Sequence, residues 1–168
     1  MITKALIEDA PELDTLVNSA YRGDSSRTGW TTEADLLDGT RTDAAAIADI
    51  IQTADTTLLK YVEGNEIIGC VELRIQKGKL YLGMLTVRPH WQGKGIGKEL
   101  LKAAEAEAKN QQCTAIFMTV ISVRKELIDW YVRHGYSLTG ERKPFAFDDP
   151  RFGQPKMNLE FAVLEKKL

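Results

Sequence analysis

Apolar residues recur along this chain in two different periods. After a short strand expected at residues 2–7, Leu13, Leu16, Val17, Ala20 and Tyr21 fall at i, i+3, i+4, i+7 and i+8, the spacing of one face of an amphipathic helix. Asp9 and Glu12 precede that face at capping-box spacing. Residues 22–29 are rich in Gly and Ser and read as loop. Thr31 or Thr32 then caps a short second helix through Ala34, Leu36 and Leu37, stopped near Gly39. A further helix begins at Asp43 and places Ile47, Ile50, Ile51 and Ala54 on one side.

Beyond residue 56 the period shortens to two. Runs at 57–62 and 67–75, joined by Glu63-Gly64-Asn65-Glu66, predict a hairpin in which Val71, Leu73 and Ile75 alternate with Glu72, Arg74 and Gln76. Gly78 turns the chain into a third strand at 80–87. Pro89 ends that strand, because proline has no N–H for the ladder. A helix over 95–109 presents Leu100, Leu101, Ala104 and Ala108 inward. Residues 115–120 are apolar but for Thr119, as in a strand covered on both faces. A helix over 124–134 sets Leu127, Ile128 and Tyr131 on one side and stops at Gly135. Strands at 136–139 and 157–164 complete the sheet, the latter alternating Met157, Leu159, Phe161 and Val163. This order specifies an α/β fold, a mixed sheet flanked by helices.

Composition narrows the function. At 168 residues, with neither repeat nor linker, the chain reads as one domain over 1–168. Twenty-two Lys plus Arg against 24 Asp plus Glu give a formal charge of -2, which argues against coating nucleic-acid phosphates. Cys70 and Cys113 lack the spacing of a zinc knuckle or a disulfide scaffold, and with only two His besides, no metal site is expected. No uncharged apolar run approaches the length of a membrane span, and charge interrupts the N-terminal segment early. A cytoplasmic protein without a membrane partner is the expectation.

The most informative stretch runs from a strand into a helix through alternating glycines: Val87-Arg88-Pro89-His90-Trp91-Gln92-Gly93-Lys94-Gly95-Ile96-Gly97-Lys98. Free amides at a helix N-terminus carry partial positive charge, and glycine lets a phosphate approach them. Lys94 or Lys98 adds charge. The spacing is not a dinucleotide fingerprint, since Lys98 stands where the last glycine is required. It is not a nucleotide P-loop either, since Glu99 replaces the magnesium-binding hydroxyl and Gln92 the first glycine. A phosphate or pyrophosphate site and a ligand-free tight turn are the two readings left.

Gln92-Gly93-Lys94-Gly95-Ile96-Gly97 resembles the acetyl-CoA motif of the GNAT superfamily of N-acetyltransferases. A second signature, a strand followed by a helix ending in Tyr-x-x-x-Gly-Tyr, is matched by residues 115–120 and by Tyr131-Val132-Arg133-His134-Gly135-Tyr136. The order of elements matches as well. The resemblance implies a mostly antiparallel GNAT sheet of about six to seven strands, and an acetyl-CoA-dependent enzyme that acetylates a primary amine by direct attack. An acetyl-CoA sensor or interaction module on the same scaffold is the alternative. It also implies a bulge in strand 80–87, which splays from the next strand so that Leu85, Thr86 and Val87 meet the pantetheine arm. The turn Gln92, Gly93, Lys94, Gly95, Ile96, Gly97 with Lys98 would hold the pyrophosphate, and Tyr131 would protonate the departing thiolate. Residue 131 also has the helical spacing of a core position, so a packing role stays open.

The chain departs from that pattern twice. Arg124 stands where many members have an asparagine that touches pantetheine, and it is carried over as a cofactor contact. Gly83 stands near the position where several members have a glutamate base. Glu72, on the neighbouring strand, is the candidate replacement, with a solvated face residue as the other reading. For the acceptor, Arg22, Trp30 and Glu33 are candidates: Arg22 for a carboxylate, Glu33 for an ammonium, and Trp30 with Tyr21 as walls. Homodimers are common in the superfamily, and Trp91, Phe145, Phe147 and Phe152 are residues for an interface or for loop packing.

Overall fold

The structure, a computed structural model, describes residues 1–21, 37–38, 41–144, 154–155 and 159–168. Among these, β1 (Ile2–Lys4), β3 (Thr56–Glu63), β4 (Glu66–Gln76), β5 (Lys79–Val87), β6 (Ala115–Ile121), β7 (Ser137–Pro144) and β9 (Glu160–Lys167) form a seven-stranded sheet in the order β1-β3-β4-β5-β6-β9-β7. Every pairing is antiparallel except β5 with β6. A separate two-stranded ladder joins β2 (Leu37–Asp38) to β8 (Gln154–Pro155).

Among the described residues four helices cover the sheet: α1 (Ala10–Tyr21) and α2 (Ala44–Gln52) on one face, α3 (Ile96–Asn110) and α4 (Lys125–Arg133) on the other. Their apolar stripes explain the placement. Leu13, Leu16 and Val17 of α1 and Ile47 of α2 are fully buried with Leu58, Cys70 and Met84 of the sheet. Leu100, Leu101 and Ala104 of α3 pack with Val71, Leu73, Leu80 and Leu82 on the opposite side. Each fully buried leucine contributes roughly 1.5–3 kcal/mol relative to exposure, so these stripes fix both layers.

Most expected elements are present within a few residues of their anticipated bounds, with informative exceptions. The first strand stops at Lys4, because the Asp9 carboxylate accepts the Leu6 amide hydrogen at 2.8 Å and winds Ile7–Asp9 into a 3-10 turn. Glu12 does not close a capping box. It accepts from the Ile67 amide at 3.0 Å and ties α1 to the start of β4. Asp43 caps α2 as anticipated, accepting from the Ala46 amide at 2.7 Å, but the helix ends before Ala54. Leu37, expected in a helix, is in β2; the remainder of that expected helix lies outside the described residues. The last two sheet strands run further than their apolar cores suggested, to Pro144 and Lys167, since antiparallel pairing continues through charged residues.

Candidate active site

The centre of the site is a defect in the sheet. Along β4 and β5 the pairing steps from Glu72↔Gly83 to Cys70↔Thr86, so β5 carries one more residue than its partner and bulges there. Met84, inside the bulge, has φ +51°, a left-handed conformation that a non-glycine residue adopts only under tertiary constraint. On the other edge, β5 pairs with β6 only at Leu80↔Ile116 and Tyr81↔Phe117, after which the strands diverge. Beyond Tyr81 that edge of β5 therefore has main-chain groups no longer committed to the ladder.

Three side chains shape the wedge so formed. The Tyr21 hydroxyl, at the end of α1, donates to the Leu85 carbonyl at 2.6 Å. Tyr81 lies across Gly83: a Cβ at residue 83 would stand 2.9 Å from the Tyr81 ring and 3.0 Å from its hydroxyl. The space beside residue 83 is thus filled by a phenol from two residues earlier. Tyr131, on α4, is only 5% exposed, with its ring edge-on to Trp130 and Tyr136. Burial raises the Tyr131 phenol well above its ordinary range, reinforced by nearby Tyr21 and opposed by the Arg124 charge.

On one side of the wedge a cavity of about 600 Å³ runs from Leu85 and Val87 past Gln92, Gly95 and Lys98 to Arg133. Its turn is built as the glycine pattern requires. Gly93 and Gly95 have φ +79° and +85°, and Gly95 opens α3, whose first ladder bond is Glu99 N–H to Gly95 carbonyl at 3.0 Å. The amides of Ile96, Gly97 and Lys98 precede that bond and have no helical acceptor. Gln92 Nε2 donates to the Val87 carbonyl at 3.0 Å and locks the turn to the end of β5. Gly97 must be small, since a Cβ there would come within 3.2 Å of the Trp130 ring. Lys98 lines the cavity, whereas Lys94 sits 5.2 Å over the Trp91 ring centroid. Lys98 and Arg133 are its charged lining residues, with no carboxylate among the described ones, which suits a polyphosphate.

A narrow channel of about 50 Å³, walled by Tyr21, Leu85, Thr86, Val87, Arg124 and Tyr131, continues along the wedge. Past it a second cavity of about 290 Å³ is lined by Tyr21, Arg41, Tyr81, Thr119, Arg124 and Tyr131. The structure thus brings Leu85, Thr86, Val87, Arg124 and Tyr131 together, and Arg124 is 5% exposed. It does not place Glu72 in the same cavity as Tyr131. Glu72, 6% exposed, pairs with Arg74 at 2.5 Å in an adjoining hollow that shares Tyr81, Thr119 and Phe161 with the second cavity. Arg22, Trp30 and Glu33 lie outside the described residues, as do Phe145, Phe147 and Phe152. Sequence reasoning missed Arg41, Tyr81, Thr119 and Arg133 as lining residues. Of these only Arg133, one turn from Trp130 on an anticipated helix, carried any local signal.

Comparisons with known proteins agree with this geometry. Residues 12–136 match the profile of the Acetyltransferase (GNAT) family. A probable spermine N(1)-acetyltransferase of Bacillus subtilis subsp. natto is 31% identical over 67 residues, 39% of this chain and 44% of that protein. The match therefore spans less than half of that relative. Among solved structures, a ribosomal-protein-alanine N-acetyltransferase from Brucella melitensis superposes with a TM-score of 0.73 at 17% identity, over 100% of this chain and 99% of that one. The PaiA N-acetyltransferase from Thermoplasma acidophilum, in complex with coenzyme A, gives 0.70 at 19% identity, over 100% and 98%. At such identities these likenesses show the fold.

Proposed function

The chain belongs to the acetyltransferase (GNAT) family, and from that premise we propose that it is an acetyl-CoA-dependent N-acetyltransferase acting on a primary amine by direct attack. The observation that carries this reading is the wedge itself: two cavities flank the β5 bulge and each shares lining residues with the narrow space between them, with Tyr131 lining that space and the second cavity. Acetyl-CoA, when bound, supplies a thioester as the acyl donor. The turn Gln92 to Lys98, with the first amides of α3, suits its phosphates, and the edge of β5 at Leu85, Thr86 and Val87, unpaired with β6, suits a pantetheine arm that pairs with main chain. Arg124, just before α4, lines the same narrow space, which supports reading it as a contact of that arm.

The residues then divide the work. β5 amides beyond the bulge offer hydrogen bonds to negative charge developing on the acyl oxygen. Tyr131, kept protonated by burial, delivers a proton to the departing sulfur. Holding amine and thioester in adjoining spaces removes the entropic cost of their encounter, for which effective molarities reach about 10⁵ M or more. Glu72 is the candidate proton acceptor for the incoming ammonium, working from the hollow behind Tyr81. Less than a threefold fall in kcat/KM for Glu72→Gln between about pH 6 and pH 9 would remove it from the mechanism and leave water as the acceptor.

Calorimetry with acetyl-CoA, followed by thiol release against a panel of amines, tests the proposal. Binding with amine-dependent thiol release is the expected result. Binding without release from any amine would reduce the protein to an acetyl-CoA-binding module, and absence of binding would overturn the assignment of the glycine turn.

A further inference from the structure

Among the described residues that line the second cavity the charged ones are both arginines, and one of them is built in. Arg41 lines this cavity but neither the channel nor the glycine-turn cavity, so it belongs to the acceptor side alone. Its backbone is clamped by Asn18 of α1. The Asn18 Oδ1 accepts from the Arg41 amide at 2.6 Å and from the Thr42 amide at 3.2 Å, while its Nδ2 donates to the Thr42 carbonyl at 3.0 Å. Asn18 is itself oriented by the Asp14 carboxylate at 2.6 Å. The Arg41 guanidinium lies 5.4 Å over the Tyr21 ring, and that ring is fixed in turn by its bond to the Leu85 carbonyl. Arg124 faces the same ring at 5.9 Å. Two arginines thus border a cavity that has no carboxylate among its described lining residues and that Tyr81 and Thr119 also line.

We infer that Arg41 selects an acceptor carrying a carboxylate close to its amine, the chemistry of an amino acid, over a polycationic amine. The inference rests on the transferase reading above and names the substrate class of its acceptor side. A guanidinium held by its backbone and stacked on an aromatic ring has lost little remaining freedom when it meets a carboxylate, which it binds through a planar pair of donors. A polyamine would instead bring further ammonium groups against the fixed Arg41 charge in a partly enclosed space, where like charges repel strongly. The spermine acetyltransferase resemblance covers too little of either chain to decide the acceptor, and the described charges in this cavity have the wrong sign for it.

The test has a kinetic and an equilibrium arm. Thiol release from acetyl-CoA is measured with the α-amino acids, with their carboxamides and with spermine. The best carboxylate acceptor is expected to exceed its carboxamide in kcat/KM by roughly 10- to 100-fold, the range set by a charge-assisted hydrogen bond. In parallel, protein saturated with CoA is titrated calorimetrically with the N-acetyl amino acids and their amides, which requires no turnover. The acid form is expected to bind at least about tenfold tighter. In Arg41→Gln both ratios fall towards one while acetyl-CoA affinity reports an intact fold, and Arg41→Lys recovers part of each. Asn18→Ala, which releases the clamp, raises the KM for the carboxylate acceptor more than it lowers kcat. Preference for spermine, equal use of acid and amide, or ratios that survive Arg41→Gln would overturn the inference. If no amine releases thiol, the transferase reading fails alone. The calorimetric ratio then decides the anion site: a difference abolished by Arg41→Gln sustains it, and no difference overturns it.

Discussion

Tyr131→Phe separates chemistry from folding more cleanly than any other substitution in the site. It deletes one oxygen and leaves the ring, whose contacts with Trp130 at 5.2 Å and Tyr136 at 5.8 Å between centroids do not involve the hydroxyl. Among the described residues, that hydroxyl has no hydrogen-bond partner to lose. The stability change should stay below about 1 kcal/mol, a shift of roughly 2–4 °C in Tm for a chain of this size. Loss of a general acid costs about 10²-fold or more in rate, or roughly 2.7 kcal/mol at 1.36 kcal/mol per tenfold. The pH dependence follows from the direction of the shift. Burial lifts the Tyr131 pKa above the ordinary phenol value near 10, so the required protonated form persists throughout the neutral and mildly alkaline range. The parent should therefore show no falling limb from Tyr131 until pH rises beyond about 10, and the variant should lose the same factor at each lower pH. Thiol release at saturating acetyl-CoA and amine, with a thermal melt on the same sample, measures both quantities. An unchanged kcat at every pH, or a loss of rate matched by a collapse in Tm, refutes the assignment.

Three further outcomes follow from the same geometry. Gly83→Ala forces the Tyr81 ring aside, because a Cβ would meet it at 2.9–3.1 Å; a loss of about 1–3 kcal/mol is expected, with a raised amine KM, and a melt matching the parent would show that Tyr81 yields freely. Gly95→Ala meets open space but holds an L-residue at φ +85°, so backbone strain of about 1–2 kcal/mol should lower Tm and weaken acetyl-CoA binding without any steric clash, and an unaltered melt would contradict it. The Cys70 thiol, fully buried and pushed up to about 12 chiefly by desolvation, should react with a thiol reagent at pH 8 only as fast as the protein unfolds; prompt labelling of the native protein would place the thiol at a solvent-open site.

Much of the fold was legible because its signals are local. The stripe Leu13, Leu16, Val17, the Asp43 cap, the alternation through Val71 and Leu73 and the glycine stop at Gly135 each depend on neighbours within one or two turns, and the structure has each of them. The glycine turn was legible for the same reason, since the positive φ of Gly93 and Gly95 and the start of α3 are encoded within six residues. Local caps were less secure where a distant partner competed. Glu12 had the spacing to close a cap at Asp9, but the Ile67 amide, brought in by β4, took its carboxylate instead.

What only the tertiary structure decided is the acceptor side. The sequence by itself determined that a strand, a glycine turn and a tyrosine-bearing helix stand in the order of the GNAT family. It did not determine that Met84 would turn left-handed, because a bulge is a mismatch between two strands and neither strand alone encodes its register. Nor did it place Arg41, which reaches the site through Asn18 and Tyr21 of a different element, or separate Glu72 from Tyr131 by the ring of Tyr81 and the edge of β6. A cavity is space left between elements distant in sequence, and its lining residues meet only once those elements have packed.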